Sequence, residues 1–446
     1  MRRSSLFGHT AELLDQILTS RQPADNVARE FFRKRHYLGS RDRRFIADQL
    51  YGILRHHDRL AFLLRRALAG VRPGVRVGRV PAIGLCAAYA IHVLGEPCDT
   101  ILPDIAGLWR TVTADVDPVV FLRTLDEAII PDEDLSDPCH RIGLAYSMPE
   151  FIVREWLERF GEEETDALCA ASNIPAPVAL RVNRLRTDPE TCRQALAREG
   201  IPARRGTLAP DALVLEKRCN LPGVRAYRDG WFEVQDEGSQ LIGLLLQVRP
   251  GQRIVDACAG GGGKTLHLAA MMENQGSILS LDIAEEKLKN LNARSLRAGV
   301  SIAEAHVTTR KGAHFPSWKE GADGVLVDVP CSGVGTFRRN PGAKLLVSEQ
   351  AIQSLHVLQE GILHQAALYV RPGGRLVYST CSLLRSENEQ ITHEFLSARG
   401  DFHLLPAPRL LHDAGIPIDG DGFTLTLFPH RHSTDGFFAA VMERSR

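Results

Sequence analysis

The sequence predicts a doubly wound, mostly parallel α/β sheet in its C-terminal half, preceded by a small α+β subdomain and an all-helical domain. Three observations carry this. From about residue 238, apolar strand segments alternate with helical ones. Four consecutive glycines join the first of those strands to a helix. Residues 1–135 keep helical spacing with no strand-like alternation.

The elements follow in order. AELLDQIL and FIADQLYGILRHHDRLAFLLRRAL repeat apolar residues at helical spacing. Between them, FFRKRHYLGSRDRRF is basic and interleaved with aromatics, and Ser40 and Asp42 can cap the helix after it. VRPGVRVGRVP reads as a loop and PAIGLCAAYAIHVLG as a further helix. The acidic PDEDLSDP at 131–138 reads as a linker closing a 1–135 domain. A connecting segment at 140–235 follows, with two helices in MPEFIVREWLERFGEEETDALCAAS and a strand in ALRVN. Its next helix has Asp188 as cap and Pro189 at its first position, and short strands lie in LVLE and WFEVQD. From 236 to 446 the strands RIVDAC, SILSLDI, GVLVDV and RLVYSTC alternate with helices, and ligands of such sheets bind at the carboxyl ends of the strands.

Composition bounds the function. The 446 residues are 44% hydrophobic and 24% charged with zero net charge, an ordinary globular balance and not that of a nucleic-acid coat protein. No apolar run approaches the roughly 18 residues of a membrane span, and the first residues lack the apolar stretch of a secretion signal. Nine scattered cysteines with no C-x-x-C pair suggest neither a disulfide framework nor a metal site, and fit a cytoplasmic protein. Cys86, Cys98, Cys139, Cys169, Cys192 and Cys219 are expected to be small buried hydrophobes. Charge is uneven: residues 1–100 carry 17 Lys/Arg against 9 Asp/Glu, which suggests a local polyanion site.

Chemistry concentrates at strand ends. In DACAGGGGKT (256–265) the glycines admit a ligand close to the backbone, and the loop opens a helix N-terminus that favours anionic groups. A triphosphate-binding loop needs glycine five residues before Gly263, where Cys258 stands, so that reading fails. Asp282 ends the next strand at the offset of a ribose-binding acid. Asp328-Val-Pro-Cys331 and Thr380-Cys381 end two more strands. A thiolate adding to carbon 6 of a cytosine makes carbon 5 nucleophilic enough to take a methyl group. Asp328, protonated, would steady ring N3 and the exocyclic amine, and Cys331 would assist proton removal and thiol release.

DACAGGGGKT, LDI, DGVLVDVPCSGVGTFRRNP and LVYSTCSLLRSENEQ, in this order, resemble the Sun-type RNA cytosine-5 methyltransferases, as do RVN, VQDEGSQL and DGFFAAVMER. LGSRDRRFIADQLYGILRH resembles the NusB-like RNA-binding domain of the bacterial ribosomal RNA branch. The resemblance covers nearly the whole chain. It implies a Rossmann-like methyltransferase domain and S-adenosyl-L-methionine as cofactor. It makes Cys381 the nucleophile, because a TC motif accompanies the PC motif, and gives product release to Cys331. Asp328 would contact both base and cofactor. Cys258, Ala259, Gly260, Gly261, Gly262, Gly263 and Lys264 would hold the methionine end, and Asp282 the ribose.

Three departures stand out: Gly260 and Gly261 where the family has alanine and proline, Thr308 where it has an acid near the adenine, and Leu345 where it often has tryptophan. Nothing in the sequence accounts for Leu345. Arg33, Lys34, Arg35, Arg41, Arg43, Arg44, Arg338 and Arg339 are the expected phosphate contacts. The expected substrate is small-subunit ribosomal RNA, acted on by a monomer with no membrane partner. The same chemistry on transfer RNA, and a catalytically silent ribosome-assembly factor, stay open as alternatives.

Overall fold

The computed structural model describes all residues except 21, 73–77, 114, 310–314, 419 and 421. The middle of the loop expected at VRPGVRVGRVP thus lies outside the described residues. The chain packs as two units: Met1–Ile174 with Phe337–Val347, and Pro175–Thr336 with Ser348–Arg446.

The first unit is helical. Arg3–Thr19, Ala24–Lys34, Ser40–Arg55, His57–Val71, Ala82–His92, Cys98–Val112 and Pro118–Asp126 surround a core that includes Phe7, Leu13, Leu50, Leu64, Leu85 and Ile105. Trp109 stacks on Phe121 with centroids 3.6 Å apart. Asp117 caps the last of these helices by accepting from the backbone N–H of Val119 and Val120, and Pro118 fills its first position. Ser40 is not a cap: the helix begins at Ser40 after Gly39, and Asp42 reaches back to the Gly39 N–H at 3.2 Å.

The helices Pro138–Tyr146, Glu150–Phe160 and Glu162–Ser172 pack within this unit. A later stretch, Phe337–Val347, joins them. Buried Lys344 donates from its Nζ to Arg55 O (3.2 Å), Tyr146 O (2.9 Å) and Asn173 Oδ1 (2.5 Å), while burial lowers its pKa to about 7. That tie between early helix, later helices and returning segment has no local sequence signal.

The second unit holds two sheets. The smaller is antiparallel, in order β2-β3-β1-β4, from β1 (Val178–Val182), β2 (Ala203–Arg205), β3 (Ala212–Leu215) and β4 (Phe232–Val234). Its core packs Leu180, Leu213 and Phe232 on Cys192 and Leu196 of the helix Pro189–Arg198, which Asp188 caps as expected. The larger sheet uses β5 (Arg253–Asp256), β6 (Ser277–Asp282), β7 (Ala303–Val307), β8 (Ala322–Asp328), β9 (Val370–Thr380), β10 (Phe402–Leu405), β11 (Thr424–Leu427) and β12 (Phe437–Arg444). The order is β10-β12-β9-β8-β5-β6-β7, with β11 also on β12. The strands from β5 to β9 are parallel neighbours, and β12 enters antiparallel beside β9. Strand order reverses between β5 and β8, the position where doubly wound sheets open a crevice at their carboxyl ends. Among the described residues, no helix is long and apolar enough to cross a membrane.

Candidate active site

The carboxyl ends of β5, β8 and β9 bring together the residues that the sequence singled out one by one. β8 ends at Asp328 and runs through Pro330 to Cys331, and β9 delivers Cys381 one residue past its end. The strands are in register here, with Asp328 opposite Ser379. The two sulfurs lie 3.2 Å apart, and the Cys381 N–H donates to Cys331 Sγ at 3.3 Å. The hydrogen bond with Cys381, reinforced by burial, holds the Cys331 thiol well above the ordinary thiol range. The two sulfurs thus share one hydrogen bond, for which either can be the donor.

Lys264, at the end of the glycine loop, reaches this cluster. Its Nζ donates to Asp328 Oδ2 at 2.6 Å. Burial disfavours its charge, but Asp328 beside it, helped by Asp256 and Cys381, outweighs burial and raises its pKa. Asp328 Oδ1 accepts from Ser379 Oγ at 2.9 Å, so both its oxygens act as acceptors.

Two buried residues that sequence reasoning passed over shape the Pro-Cys turn. Glu387 accepts from the Ser332 N–H (2.8 Å), Ser332 Oγ (2.5 Å) and Gln359 Nε2 (3.0 Å), and Gln359 also donates to Pro330 O at 3.0 Å. Glu387 stood in the SENEQ motif, but nothing local marked it as the acceptor that fixes the neighbour of Cys331. Glu387→Ala would strand buried donors, each costing about 1–3 kcal/mol. A loss of about 3 kcal/mol in urea unfolding is expected, with roughly half of it recovered in Glu387→Gln.

The glycine loop forms a cradle. Gly262 has φ +85°, and a Cβ there would meet Leu291 at 2.6 Å, so only glycine fits. At Gly260 and Gly263 a Cβ would meet nothing within 4 Å, which leaves room for a ligand against the backbone. The helix Gly263–Met271 starts there. Buried Asp282 turns its carboxylate to the loop, accepting from the Gly260 N–H at 2.9 Å and from the Ala284 N–H at 2.8 Å. Thr308 follows β7, and its N–H donates to Asp282 O at 3.0 Å. Burial pushes the Cys258 thiol far above its ordinary value. An open glycine cradle, a helix start for a carboxylate and an acid at the ribose offset fit S-adenosyl-L-methionine.

The basic residues divide. Arg33, Lys34, Arg41, Arg44 and Arg339 are exposed, although Lys34 pairs with Glu30 (2.7 Å) and Arg44 with Asp48 (3.6 Å). Arg35 is tied to Glu12 and lies over the Phe31 ring at 3.7 Å. Arg43 donates to Leu38 O (2.9 Å) and Arg35 O (3.3 Å). Arg338 is buried, with 7% exposure. Arg35 and Arg43 are thus tied to neighbouring groups of the fold, and Arg338 is less exposed than the other five. Cys219 is exposed and Cys98 only partly buried, against the expectation for both.

A family described as 16S rRNA methyltransferase RsmB/F matches residues 243–443, and its ferredoxin-like domain matches residues 148–222. A Bacillus subtilis (strain 168) protein, described as a probable ribosomal RNA small subunit methyltransferase B, is 35% identical over 325 residues, 72% of each chain. The chain belongs to the RsmB/F family. A Synechocystis (strain PCC 6803) relative with the same description is 30% identical and matches over 98% of each chain. The crystal structure of PH0851 superposes with a TM-score of 0.80 at 26% identity, covering 100% of this chain and 99% of that one. The RsmB/F activity is S-adenosylmethionine-dependent methylation of cytosine carbon 5 in small-subunit ribosomal RNA.

Proposed function

We propose that this chain methylates one cytosine of 16S ribosomal RNA through a covalent bond from Cys381 to the base. The observation that carries this is the pair of sulfurs 3.2 Å apart beside the Lys264–Asp328 ion pair at the ends of β8 and β9. Cytosine carbon 5 is a weak nucleophile. Attack of Cys381 Sγ on carbon 6 breaks the ring's conjugation and places electron density on carbon 5. Lys264 interacts electrostatically with the attacking Cys381. The Lys264–Asp328 pair faces the charge that develops on the ring: Asp328 accepts from the exocyclic amine while the ammonium supplies a proton towards N3.

S-adenosyl-L-methionine supplies the electrophilic methyl group. The loop 258–263 would hold its methionine end, Asp282 its ribose, and the end of β7 at Thr308 its adenine. Cys331, hydrogen-bonded to the attacking sulfur, is placed to take part in removal of the carbon 5 proton and release of the thiol. The target base must leave its stack to reach strand ends, with Arg33, Lys34, Arg41, Arg44 and Arg339 meeting phosphates. The protein works as a monomer in the cytoplasm.

Labelled S-adenosylmethionine should transfer its methyl group to naked 16S ribosomal RNA, and bisulfite sequencing should find one protected cytosine. Label in transfer RNA instead would move the activity to that substrate. Cofactor binding with no label in either RNA would favour a silent assembly factor.

A further inference from the structure

Four successive glycines carry the largest backbone freedom that a chain can have, and ordering them costs more than ordering any other loop of that length. Yet loop 260–263 is held at several polar atoms from outside itself. Arg181 Nη1 donates to Gly263 O at 2.5 Å, and Arg294 Nη1 donates to Gly261 O at 2.6 Å. The Gly260 N–H is fixed by Asp282.

The two guanidiniums share one foundation in the small sheet. Arg181 on β1 lies directly opposite Glu233 on β4. Glu233 is almost wholly buried, and its Oε2 receives Arg294 through Nε (3.0 Å) and Nη2 (2.9 Å), while Oε1 receives Arg297. Arg297 is itself seated over the Tyr227 ring at 3.9 Å. Glu233 Oε2 thus holds the Nε–Nη2 edge of Arg294 by a charge-assisted hydrogen bond and an ion-pair contact. Arg294 therefore approaches Gly261 O as a rigid donor. Glycine at 261 is what allows this: a Cβ there would lie 3.2 Å from Arg294 Nη1.

We infer that Arg294, seated by Glu233, is a positioning residue for the cofactor loop, and that the small sheet sets the loop's conformation through the Arg181–Glu233 cross-strand pair. The inference rests on the reading of that loop as the S-adenosyl-L-methionine site. An arginine clamp here does the work that a stiffer loop sequence would do within the loop itself.

Titration calorimetry of the full chain with S-adenosylhomocysteine tests it. Arg294→Met is expected to weaken binding about tenfold, the loss of one charge-assisted hydrogen bond. Arg294→Lys, which keeps the charge but loses the fork, should lie between Arg294→Met and the parent. KM for S-adenosylmethionine should rise in step, with a smaller change in kcat. Gly261→Ala should weaken binding in the parent, where the new methyl meets the guanidinium, and strengthen it in Arg294→Met, where it stiffens an unclamped loop. Equal affinity of parent and Arg294 variants overturns the inference. Absence of any binding by the parent overturns the cofactor reading beneath it. If Arg294→Met does not fold, Arg294→Lys and the sign of the Gly261→Ala effect in that background decide.

Discussion

Replacing Cys381 by alanine is expected to reduce methyl transfer to ribosomal RNA by on the order of 10^4-fold or more, the scale seen when a nucleophile is removed from a working constellation. At about 1.4 kcal/mol per tenfold, that is a barrier increase of roughly 5.5 kcal/mol. The reason is electronic. Without a sulfur on carbon 6, the ring keeps its conjugation, and the Lys264–Asp328 pair has little developing charge to stabilise. Cys381→Ser should do little better, because a serine hydroxyl beside one ammonium does not ionise near neutrality. Single-turnover transfer of labelled methyl to naked RNA measures the rate, and calorimetry with S-adenosylhomocysteine should show cofactor affinity close to the parent's. A variant that keeps more than a tenth of the parent rate would mean that some other group attacks the base.

The residues behind this expectation were legible in the sequence for a simple reason. Strand ends of a parallel sheet converge in space, so Asp328, Cys331 and Cys381 could be placed together from the alternation of strands and helices alone. Their register, with Asp328 opposite Ser379, then fixes which side chains touch. What the sequence hid is what packing decides. Lys264 sits among loop residues in the chain, yet its long stem carries the ammonium to Asp328. Glu387 and Glu233 are buried acids whose partners come from 28 to 64 residues away, and no local spacing announces them.

The basic head shows the same limit from the other side. Arg33 and Arg35 look alike in FFRKRHYLG, but one is exposed while the other lies on Phe31 and pairs with Glu12. Arg33 is still in the helix, whereas Arg35 is its C-cap with non-helical backbone, so the end of the helix at Lys34 is what sends the two side chains different ways. The strand β12 is a further case. FFAAVMER is a near-continuous apolar run, and that pattern fits a strand with both neighbours filled, but it does not say that the strand runs antiparallel between β9 and β10.

Cys331→Ala, by contrast, should attack the base and then fail to let go. After methyl transfer, carbon 5 carries both a methyl group and a hydrogen. That proton must leave so that its bonding electrons can restore the ring and expel Cys381 from carbon 6. Cys331 is the sulfur 3.2 Å from the one being expelled. Its own ionisation is suppressed first by its hydrogen bond to Cys381, then by burial, and then by the charge of Cys381. Once Cys381 is bonded to the base, its sulfur no longer presents that charge, and two of these three causes lapse. Cys331 thus becomes easier to ionise at the stage when a base is needed. With alanine at 331, a protein–RNA species that survives denaturing electrophoresis should accumulate, approaching one RNA per enzyme. It should require S-adenosylmethionine and vanish in the double variant with Cys381→Ala. Should the stable species form with Cys381→Ala and not with Cys331→Ala, the two sulfurs have exchanged roles.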